Sequence, residues 1–230
     1  MEDGFKSGSK GNSRRSATPR VTLCLHTSVM TASREPLSIV PANEASWADL
    51  QTVFGTRGPA SRCYCQRFKL RPRESFAGFP AEERAERLRE QTDCGYPGSG
   101  TTSGLVAYRD GEPVGWCAVE PRTAYGGLVR NNRVPWSGRA EDKTDVSVWA
   151  VTCVLARAGF RKRGVSRALV RAAVDFARDR GARALEGYPM TTKDVVSEEL
   201  LVGTASMFAD AGFTEVGRPT QRRAVMRIDF

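Results

Sequence analysis

The amino-acid sequence predicts an α/β domain with one mixed, mostly antiparallel central sheet and helices on both faces. The first indication is segment 146–188, where an apolar run, a basic glycine turn, an amphipathic helix and another apolar run follow in the order of a βαβ crossover. The second is Asp110-Gly111, a hairpin turn signal between two apolar stretches. The third is a closing antiparallel pair predicted over residues 214–218 and 224–228.

The N-terminal half of the domain supplies a strand, two helices and the hairpin. Residues 37–40 predict the first strand, and Asn43 predicts the N-cap of a helix with one apolar face. The residues of that face are Trp47, Leu50, Val53 and Phe54. Residues 80–91 predict a second, highly charged helix, whose thin apolar face should border a groove rather than a core. The hairpin strands span 105–109 and 114–119.

The crossover opens the second half. Residues 146–155 form a β-branched, apolar run typical of a buried strand. The next segment has apolar residues at three- and four-residue steps with charges opposite them, and Gly181 ends this helix at the usual glycine position. Residues 182–188 predict the second strand. The apolar positions of the helix are Val165, Ala168, Leu169, Ala172, Phe176 and Ala177.

The basic glycine turn reads Arg161-Lys162-Arg163-Gly164-Val165-Ser166. A loop that turns into a helix directs unpaired backbone N–H groups and the positive end of the helix dipole at one point, which suits a diphosphate. The spacing from Gly159 to Gly164 matches a Walker A loop, but Val165 stands where that loop has its phosphate-binding lysine. The three glycines of a dinucleotide-binding Rossmann turn are not there either. Neither nucleotide-binding family fits this turn.

The turn resembles the (Gln/Arg)-x-x-Gly-x-(Gly/Ala) signature of the GNAT superfamily of acyl-CoA N-acyltransferases, with Ser166 in place of the last small residue. It continues into Arg167-Ala168-Leu169-Val170 as the GNAT loop continues into its cofactor-binding helix. Residues 205–213 are similar to the last GNAT helix, which ends in an aromatic residue, three residues and then Gly-Phe. The resemblance covers residues 37–230 and is strongest over 146–213.

This resemblance implies an N-acetyltransferase that moves an acetyl or other acyl group from coenzyme A to a primary amine by direct attack in a ternary complex. The pyrophosphate of acetyl-CoA would lie on Arg161, Lys162, Arg163, Gly164, Val165, Ser166 and Arg167. The pantetheine arm would run along the backbone of Cys153, Val154, Leu155 and Ala156. A neighbouring strand splayed over 184–188 would make room for the arm.

Acyl transfer from a thioester to an amine needs a base for the amine, a donor for the oxyanion and a proton for the leaving thiolate. Many GNAT relatives use a tyrosine as the acid, but Phe208 occupies that place here, and its ring has no proton to give. We therefore predict Tyr188 as the substitute acid. For the base we predict Glu120, just past the second hairpin strand, with Asp145 and Glu186 as alternatives.

Composition narrows the chemistry further. The chain has 230 residues, a formal net charge of +9, six cysteines and one histidine. That histidine, His26, lies in the predicted N-terminal extension and outside the predicted domain, which argues against a Ser-His-Asp triad, a Cys-His pair or a histidine-bound zinc within the domain. Cys63-Tyr64-Cys65 has no second cysteine pair to complete a zinc knuckle. We expect no metal, and we interpret this turn as lining the acceptor groove or packing beneath it.

The acceptor is left open between a small-molecule amine and a protein lysine. The loop over 121–144 is a candidate lid, and the candidate walls of the acceptor pocket are Trp116, Trp136, Trp149 and Tyr125. Two other functions stay open: an acyl-CoA sensor without turnover, favoured by Phe208, and a basic nucleic-acid-associated module. Because the basic residues are scattered, we do not expect nucleic acid as a partner. A homodimer is left open.

The first 35 residues differ from the rest of the chain. They are rich in Ser, Gly, Lys and Arg and predict a disordered extension, with Met30 as an alternative start and the domain over 36–230. The apolar patch 21–25 is too brief for a signal-peptide core. No apolar stretch approaches the roughly 20 residues that span a bilayer. We therefore expect a cytoplasmic protein without a membrane partner.

Overall fold

The computed structural model describes residues 37–192, 195–196 and 198–230. Seven strands form one sheet in the order β1-β2-β3-β4-β5-β7-β6, and of these described strands β4 and β5 pair in parallel while all other neighbours are antiparallel. The strands are β1 (Ser38–Pro41), β2 (Gly104–Arg109), β3 (Glu112–Pro121), β4 (Val148–Ala156), β5 (Ala184–Gly187), β6 (Thr214–Thr220) and β7 (Arg223–Asp229). The predicted mixed, mostly antiparallel sheet is confirmed.

Helices cover both faces of this sheet, as the sequence predicts. They are α1 (Trp47–Phe54), α2 (Ala60–Cys63), α3 (Ala81–Thr92), α4 (Gly126–Asn131), α5 (Val165–Asp179) and α6 (Ala205–Ala209). Successive residues of β3 point to opposite faces. Cys117 belongs to a buried cluster with Leu169 of α5, whereas Trp116 belongs to another with Leu50 and Phe54 of α1. The sheet is therefore the middle layer between α5 and α1.

The start of α1 differs from the prediction. The helix is capped by Ser46, whose hydroxyl accepts the Asp49 N–H at 3.1 Å while the Asp49 carboxylate accepts the Ser46 N–H at 3.2 Å. Asn43 lies before it, and its side-chain amide donates to the carbonyl of Ser99 at 3.2 Å. The predicted cap at Asn43 is wrong because the reciprocal pair of Ser46 and Asp49 satisfies two helix-end groups at once.

The crossover and the hairpin agree with the sequence analysis. Asp110 and Gly111 both have positive φ, 53° and 77°, as a two-residue hairpin turn requires. At the end of α5, Gly181 has φ 77°, its N–H donates to the Arg178 carbonyl at 2.9 Å, and the Ala182 N–H donates to the Ala177 carbonyl at 3.0 Å. This pattern is a Schellman motif.

The predicted loop over 121–144 is partly helical and is anchored to the sheet. It contains the 3-10 turn Arg122–Ala124 and α4. Glu186 of β5, fully buried, accepts hydrogen bonds from Arg122 at 3.1 Å, Arg139 at 2.6 Å and Arg227 at 2.9 Å. Two of these three arginines belong to the segment, so a buried charge cluster ties it to β5 and β7.

The predicted N-terminal extension over residues 1–35, with Met30 and His26, lies outside the described residues. Among the helices that the structure describes, none is both long and apolar enough to cross a membrane.

Candidate active site

The parallel pairing of β4 and β5 is short. It begins at Val148 with Ala184 and ends at Val151 with Gly187. From Thr152 to Ala156 the same edge of β4 has no β5 partner, while the opposite edge stays paired to β3. The two strands therefore separate only after Gly187. The predicted splay over 184–188 is wrong for 184–187, because these residues pair with β4 in a regular parallel register.

Phe208 packs at this point of separation. Its ring is fully buried and meets the ring of Phe213 edge-on at 5.1 Å. A Cβ atom added to Gly187 would lie 2.3 Å from the Phe208 ring, so this approach requires glycine. The residue that replaces the expected tyrosine thus fills the core where β4 and β5 part.

The N-terminus of α5 lies next to the unpaired edge of β4. Gly164 caps the helix with φ 85°, and the first hydrogen bond of the helix runs from the Ala168 N–H to the Gly164 carbonyl at 3.0 Å. The N–H groups of Val165, Ser166 and Arg167 come before that bond and have no acceptor within the helix. Together with the positive end of the helix dipole, they form a cradle for an anion.

One groove joins this cradle to β4. The groove has two parts, one beside Gly164 and the other beside Leu155 and Arg161. Both parts are lined by Val154, Ala156, Lys162 and Ser166 on one side and by Leu200 on the other. The predicted cofactor residues that line the groove are Val154, Leu155, Ala156, Arg161, Lys162, Gly164, Val165, Ser166 and Arg167. Arg163 is not part of the lining: its side chain is exposed, and its carbonyl accepts a hydrogen bond from Arg109 at 3.4 Å.

A smaller cavity of about 210 Å³ lies at the Thr152 end of the groove. Both spaces are lined by Pro59 and Leu201, so the cavity adjoins the groove directly. Its walls carry apolar or sulfur-containing side chains, namely Cys63, Cys65, Phe68, Phe76, Cys153 and Val202. The predicted cofactor residue Cys153 therefore faces the cavity rather than the groove.

A family model described as the acetyltransferase (GNAT) family matches residues 68–192, more than half of the chain. The chain belongs to the GNAT family. The matched range contains β2 to β5, the cradle and the unpaired edge of β4. Acyl transfer from coenzyme A is the chemistry of this family in general.

Solved structures similar to this GNAT chain include three N-acetyltransferases. One from Staphylococcus aureus Mu50 shares 12% identity, with 85% of this chain and 99% of that chain covered and a TM-score of 0.48. A PaiA N-acetyltransferase from Thermoplasma acidophilum, in complex with coenzyme A, shares 13% identity, with 85% of this chain and 100% of that chain covered and a TM-score of 0.47. A ribosomal-protein-alanine N-acetyltransferase from Brucella melitensis shares 18% identity, with 84% of this chain and 99% of that chain covered and a TM-score of 0.46. A comparison with curated proteins finds no match.

The cysteine turn of this GNAT chain has an unusual backbone. Tyr64 and Cys65 both have positive φ, 44° and 55°, which costs about 1–2 kcal/mol for each non-glycine residue. Trp116 Nε1 donates to Cys65 Sγ at 3.2 Å and helps to hold the turn against the cavity. Within the described part of the chain, no group of three or more His, Cys, Asp or Glu side chains is arranged to hold a metal ion.

Glu120 lies at the end of β3, where it pairs with Ala150 of β4. Its carboxylate Oε2 is 2.5 Å from Lys69 Nζ, and both side chains are largely buried. Burial raises the pKa of Glu120, and the Lys69 charge opposes that rise without cancelling it. No local sequence pattern points to Lys69, because it lies in an irregular segment far from Glu120 along the chain.

Two buried hydroxyl groups, of Tyr125 and Thr152, make no hydrogen bond of ordinary distance and angle with a described residue. The Tyr125 hydroxyl nevertheless lies close enough to the Glu120 carboxylate and the Thr152 hydroxyl to interact with both. Burial raises the pKa of Tyr125 well above its ordinary value, and the charge of Glu120 adds to this rise. Thr152 also lines the cavity, and the β3 register skips it, since Ala118 pairs with Cys153 and Val119 with Val151. This β-bulge breaks the regular ladder beside Glu120.

Tyr188 is placed differently from Glu120. It is buried, its hydroxyl donates to Glu186 Oε2 at 2.8 Å, and it lines neither the groove nor the cavity. Burial and then the Glu186 charge raise the pKa of Tyr188 well above its ordinary value. Burial acts to raise the pKa of Glu186, but its arginine partners outweigh burial and lower that pKa overall. The roles of Tyr188 and Glu120 stay predictions.

The two alternative bases have other partners. Glu186 is held by three arginines, as described above. Asp145 accepts hydrogen bonds from the Ser147 hydroxyl at 2.6 Å and from Arg183 at 2.6 Å, and these bonds lower its pKa. Of the three carboxylates considered, only Glu120 has a raised pKa. It lines neither the groove nor the cavity, and its strand partner Ala150 comes two residues before the cavity-lining Thr152.

Proposed function

We propose that residues 36–230 form an N-acetyltransferase domain that transfers an acetyl group from acetyl-CoA to a primary amine by direct attack in a ternary complex. The observation that carries this proposal is one continuous path from the α5 N-terminus, along the unpaired edge of β4, to the cavity at Thr152. Membership of the GNAT family supports acyl transfer from coenzyme A in general.

Each part of acetyl-CoA finds matching chemistry along this path. The diphosphate suits the unpaired N–H groups of Val165, Ser166 and Arg167, with Arg161 and Lys162 adding positive charge. The pantetheine arm carries amides, and these can hydrogen-bond to the unpaired backbone edge of β4 from Thr152 to Ala156. The thioester then reaches the cavity end of the strand.

Direct attack by the amine is favoured over an acyl-cysteine intermediate. Cys63 and Cys153 both line the cavity. Burial raises the pKa of Cys63, while a hydrogen bond with Cys65, followed by burial, raises that of Cys153 well above its ordinary value. A thiol must ionise to attack a thioester, so these groups are poor nucleophiles at neutral pH.

We assign Glu120 as the base. An acceptor amine enters as an ammonium ion and must lose a proton before its nitrogen can bond to the thioester carbon. A carboxylate whose pKa is raised by burial accepts that proton more readily than an exposed one. Thr152 lines the cavity, and the Tyr125 hydroxyl interacts with both Thr152 and Glu120, so these two hydroxyls can relay the proton from the cavity to Glu120.

The proton for the leaving CoA thiolate has two candidate donors. Tyr188 stays our predicted acid, although its hydroxyl already donates to Glu186. Tyr125 is the second candidate, because its hydroxyl is buried without a hydrogen bond of ordinary geometry and its raised pKa keeps the proton in place at neutral pH. Replacing each by Phe in turn separates the two assignments.

Calorimetry followed by a turnover assay tests the proposed function. Acetyl-CoA should bind the full chain, and a panel of small amines and lysine peptides should then release free CoA thiol. Binding without release by any amine would leave an acyl-CoA sensor, the alternative that the buried Phe208 favours. Absence of acetyl-CoA binding would reject both functions.

A further inference from the structure

The cavity at Thr152 also limits which amines can serve as acceptors, an inference that rests on the proposed function. We propose that the acceptor is a small amine with an apolar body and a carboxylate, of which an α-amino acid with an apolar side chain is the simplest case. Polyamines, aminoglycosides and lysine-rich peptides would be poor acceptors.

Cavity size supports a small acceptor. Its volume is about 210 Å³, below the roughly 300–1,000 Å³ of sites that enclose drug-sized ligands. Thr152 and Cys153 lie at the end of the β4 path, so the thioester would enter from that side and leave the remaining space to the acceptor.

The cavity walls select an apolar body. Phe68 and Phe76 supply aromatic surface, and Leu201 and Val202 supply aliphatic surface. The three wall cysteines add sulfur atoms, and the raised pKa values of Cys63 and Cys153 keep these two thiols neutral. Apolar walls of this kind cannot offset the free-energy cost of removing a second or third ammonium group of the acceptor from water.

The charges that line the cavity select a carboxylate. They are two cations, Arg62 and Arg67, and one anion, Glu198. Arg62 is paired with Glu198 at 3.4 Å. Arg67 is exposed, its guanidinium lies 4.4 Å from the ring centroid of Phe76, and it forms no ion pair with any described residue. Arg67 is therefore the cavity-lining cation without an anionic partner among the described residues, and a substrate carboxylate can form an ion pair with it.

Matched acceptors test the charge requirement. Methionine, leucine and phenylalanine would be compared with their primary amides and with spermidine, at fixed acetyl-CoA. We expect kcat/KM at least about tenfold higher for each acid than for its amide or for spermidine. The amide's amine loses its proton more readily without the nearby carboxylate, so chemistry alone would favour the amide. An amide or spermidine that matches or exceeds the acid would overturn the proposal.

Two matched variants locate the effect. Arg67→Gln should raise the KM for the amino acid about fivefold, since the Arg67 side chain is exposed, and should bring the acid and its amide within about threefold, with the Kd for acetyl-CoA unchanged. Arg62→Lys, which keeps the positive charge opposite Glu198, is the control and should change the KM less than threefold. Equal effects of the two variants, or no effect of Arg67→Gln, would contradict the role of Arg67.

The outcomes also separate this inference from the proposed function. Turnover that prefers spermidine or a lysine peptide would keep the acetyltransferase and reject the acceptor class. Higher rates with longer acyl-CoA donors than with acetyl-CoA would assign the cavity to the acyl chain and reject the inference as well. If no amine reacts, the binding of methionine and of methionine amide to the CoA-loaded chain would be compared by calorimetry. Equal binding of the two, or no binding of either, would reject the proposed acceptor class.

Discussion

Replacing Gly164 by valine tests whether backbone groups hold the coenzyme diphosphate. Gly164 lines the groove with φ 85°, a conformation that a β-branched residue rarely adopts. Valine would force the chain out of this conformation and would also extend a side chain from the groove wall. The N–H groups of Val165, Ser166 and Arg167 would then no longer converge.

The size of the effect follows from the hydrogen bonds at risk. A hydrogen bond to a charged group contributes about 1.5–3 kcal/mol, so the loss of even one should weaken acetyl-CoA binding by at least about tenfold. Arg163 is exposed and outside the groove lining, so Arg163→Ala should cost less than about 1 kcal/mol, or roughly fivefold at most.

Gly181 provides the matched control for strain. It has φ 77° at the opposite end of the same helix, and a Cβ atom there, as at Gly164, would meet no atom within 4 Å. Gly181→Val should lower Tm by an amount similar to Gly164→Val, about 2–4 °C for each kcal/mol of strain. Isothermal titration calorimetry should show a raised acetyl-CoA Kd for Gly164→Val alone. A similar rise in Kd for Arg163→Ala or Gly181→Val would refute a backbone cradle.

Three further predictions concern the buried ionisable groups. Glu120→Gln should lower kcat/KM and remove the acid limb of its pH profile. Because the pKa of Glu120 is raised, that limb should lie above the ordinary glutamate range in the wild type. An unchanged pH profile would reject Glu120 as the base. Tyr125→Phe and Tyr188→Phe should differ in kcat with acetyl-CoA Kd unchanged, and the larger loss identifies the acid. Glu186→Gln should destabilise the fold at pH 7 by about 3 kcal/mol, the low end for a broken buried ion pair, because the three arginines lose their fully buried anion but keep Glu141 as a second one. Since folding lowers the pKa of Glu186, its contribution is present above the unfolded pKa and is lost as pH falls through the folded pKa. Urea unfolding should therefore show the deficit of Glu186→Gln shrinking below about pH 4, and a constant deficit would contradict this account.

Local sequence signals predict the crossover well. The apolar spacing from Val165 to Ala177, the glycine at 181 and the β-branched run before residue 156 all act over a few residues, and the structure has α5, its Schellman end and β4 at these places. The Asp110-Gly111 hairpin is of the same kind. Asn43 failed because the competing Ser46 and Asp49 pair satisfies two backbone groups instead of one.

The candidate site depends on contacts that no local pattern contains. The sequence singled out Glu120, yet its partner Lys69 comes from a segment without periodicity, and their contact exists only after the sheet forms. The cluster around Glu186 likewise joins Arg122, Arg139 and Arg227 from three separate parts of the chain. Arg67, which has no ion pair among the residues that the structure describes, becomes informative only once the cavity and the neighbouring ion pair are known.

Product analysis during turnover tests the central claim most directly. The full chain would be incubated with acetyl-CoA and an amine, with free CoA measured by thiol detection and the acetylated amine by mass spectrometry. Acyl transfer along the proposed path predicts one acetylated amine for each CoA released, at a rate that Gly164→Val reduces at subsaturating acetyl-CoA. CoA release without an acetylated product, or saturated acetyl-CoA binding with no release across the amine panel, would contradict the account.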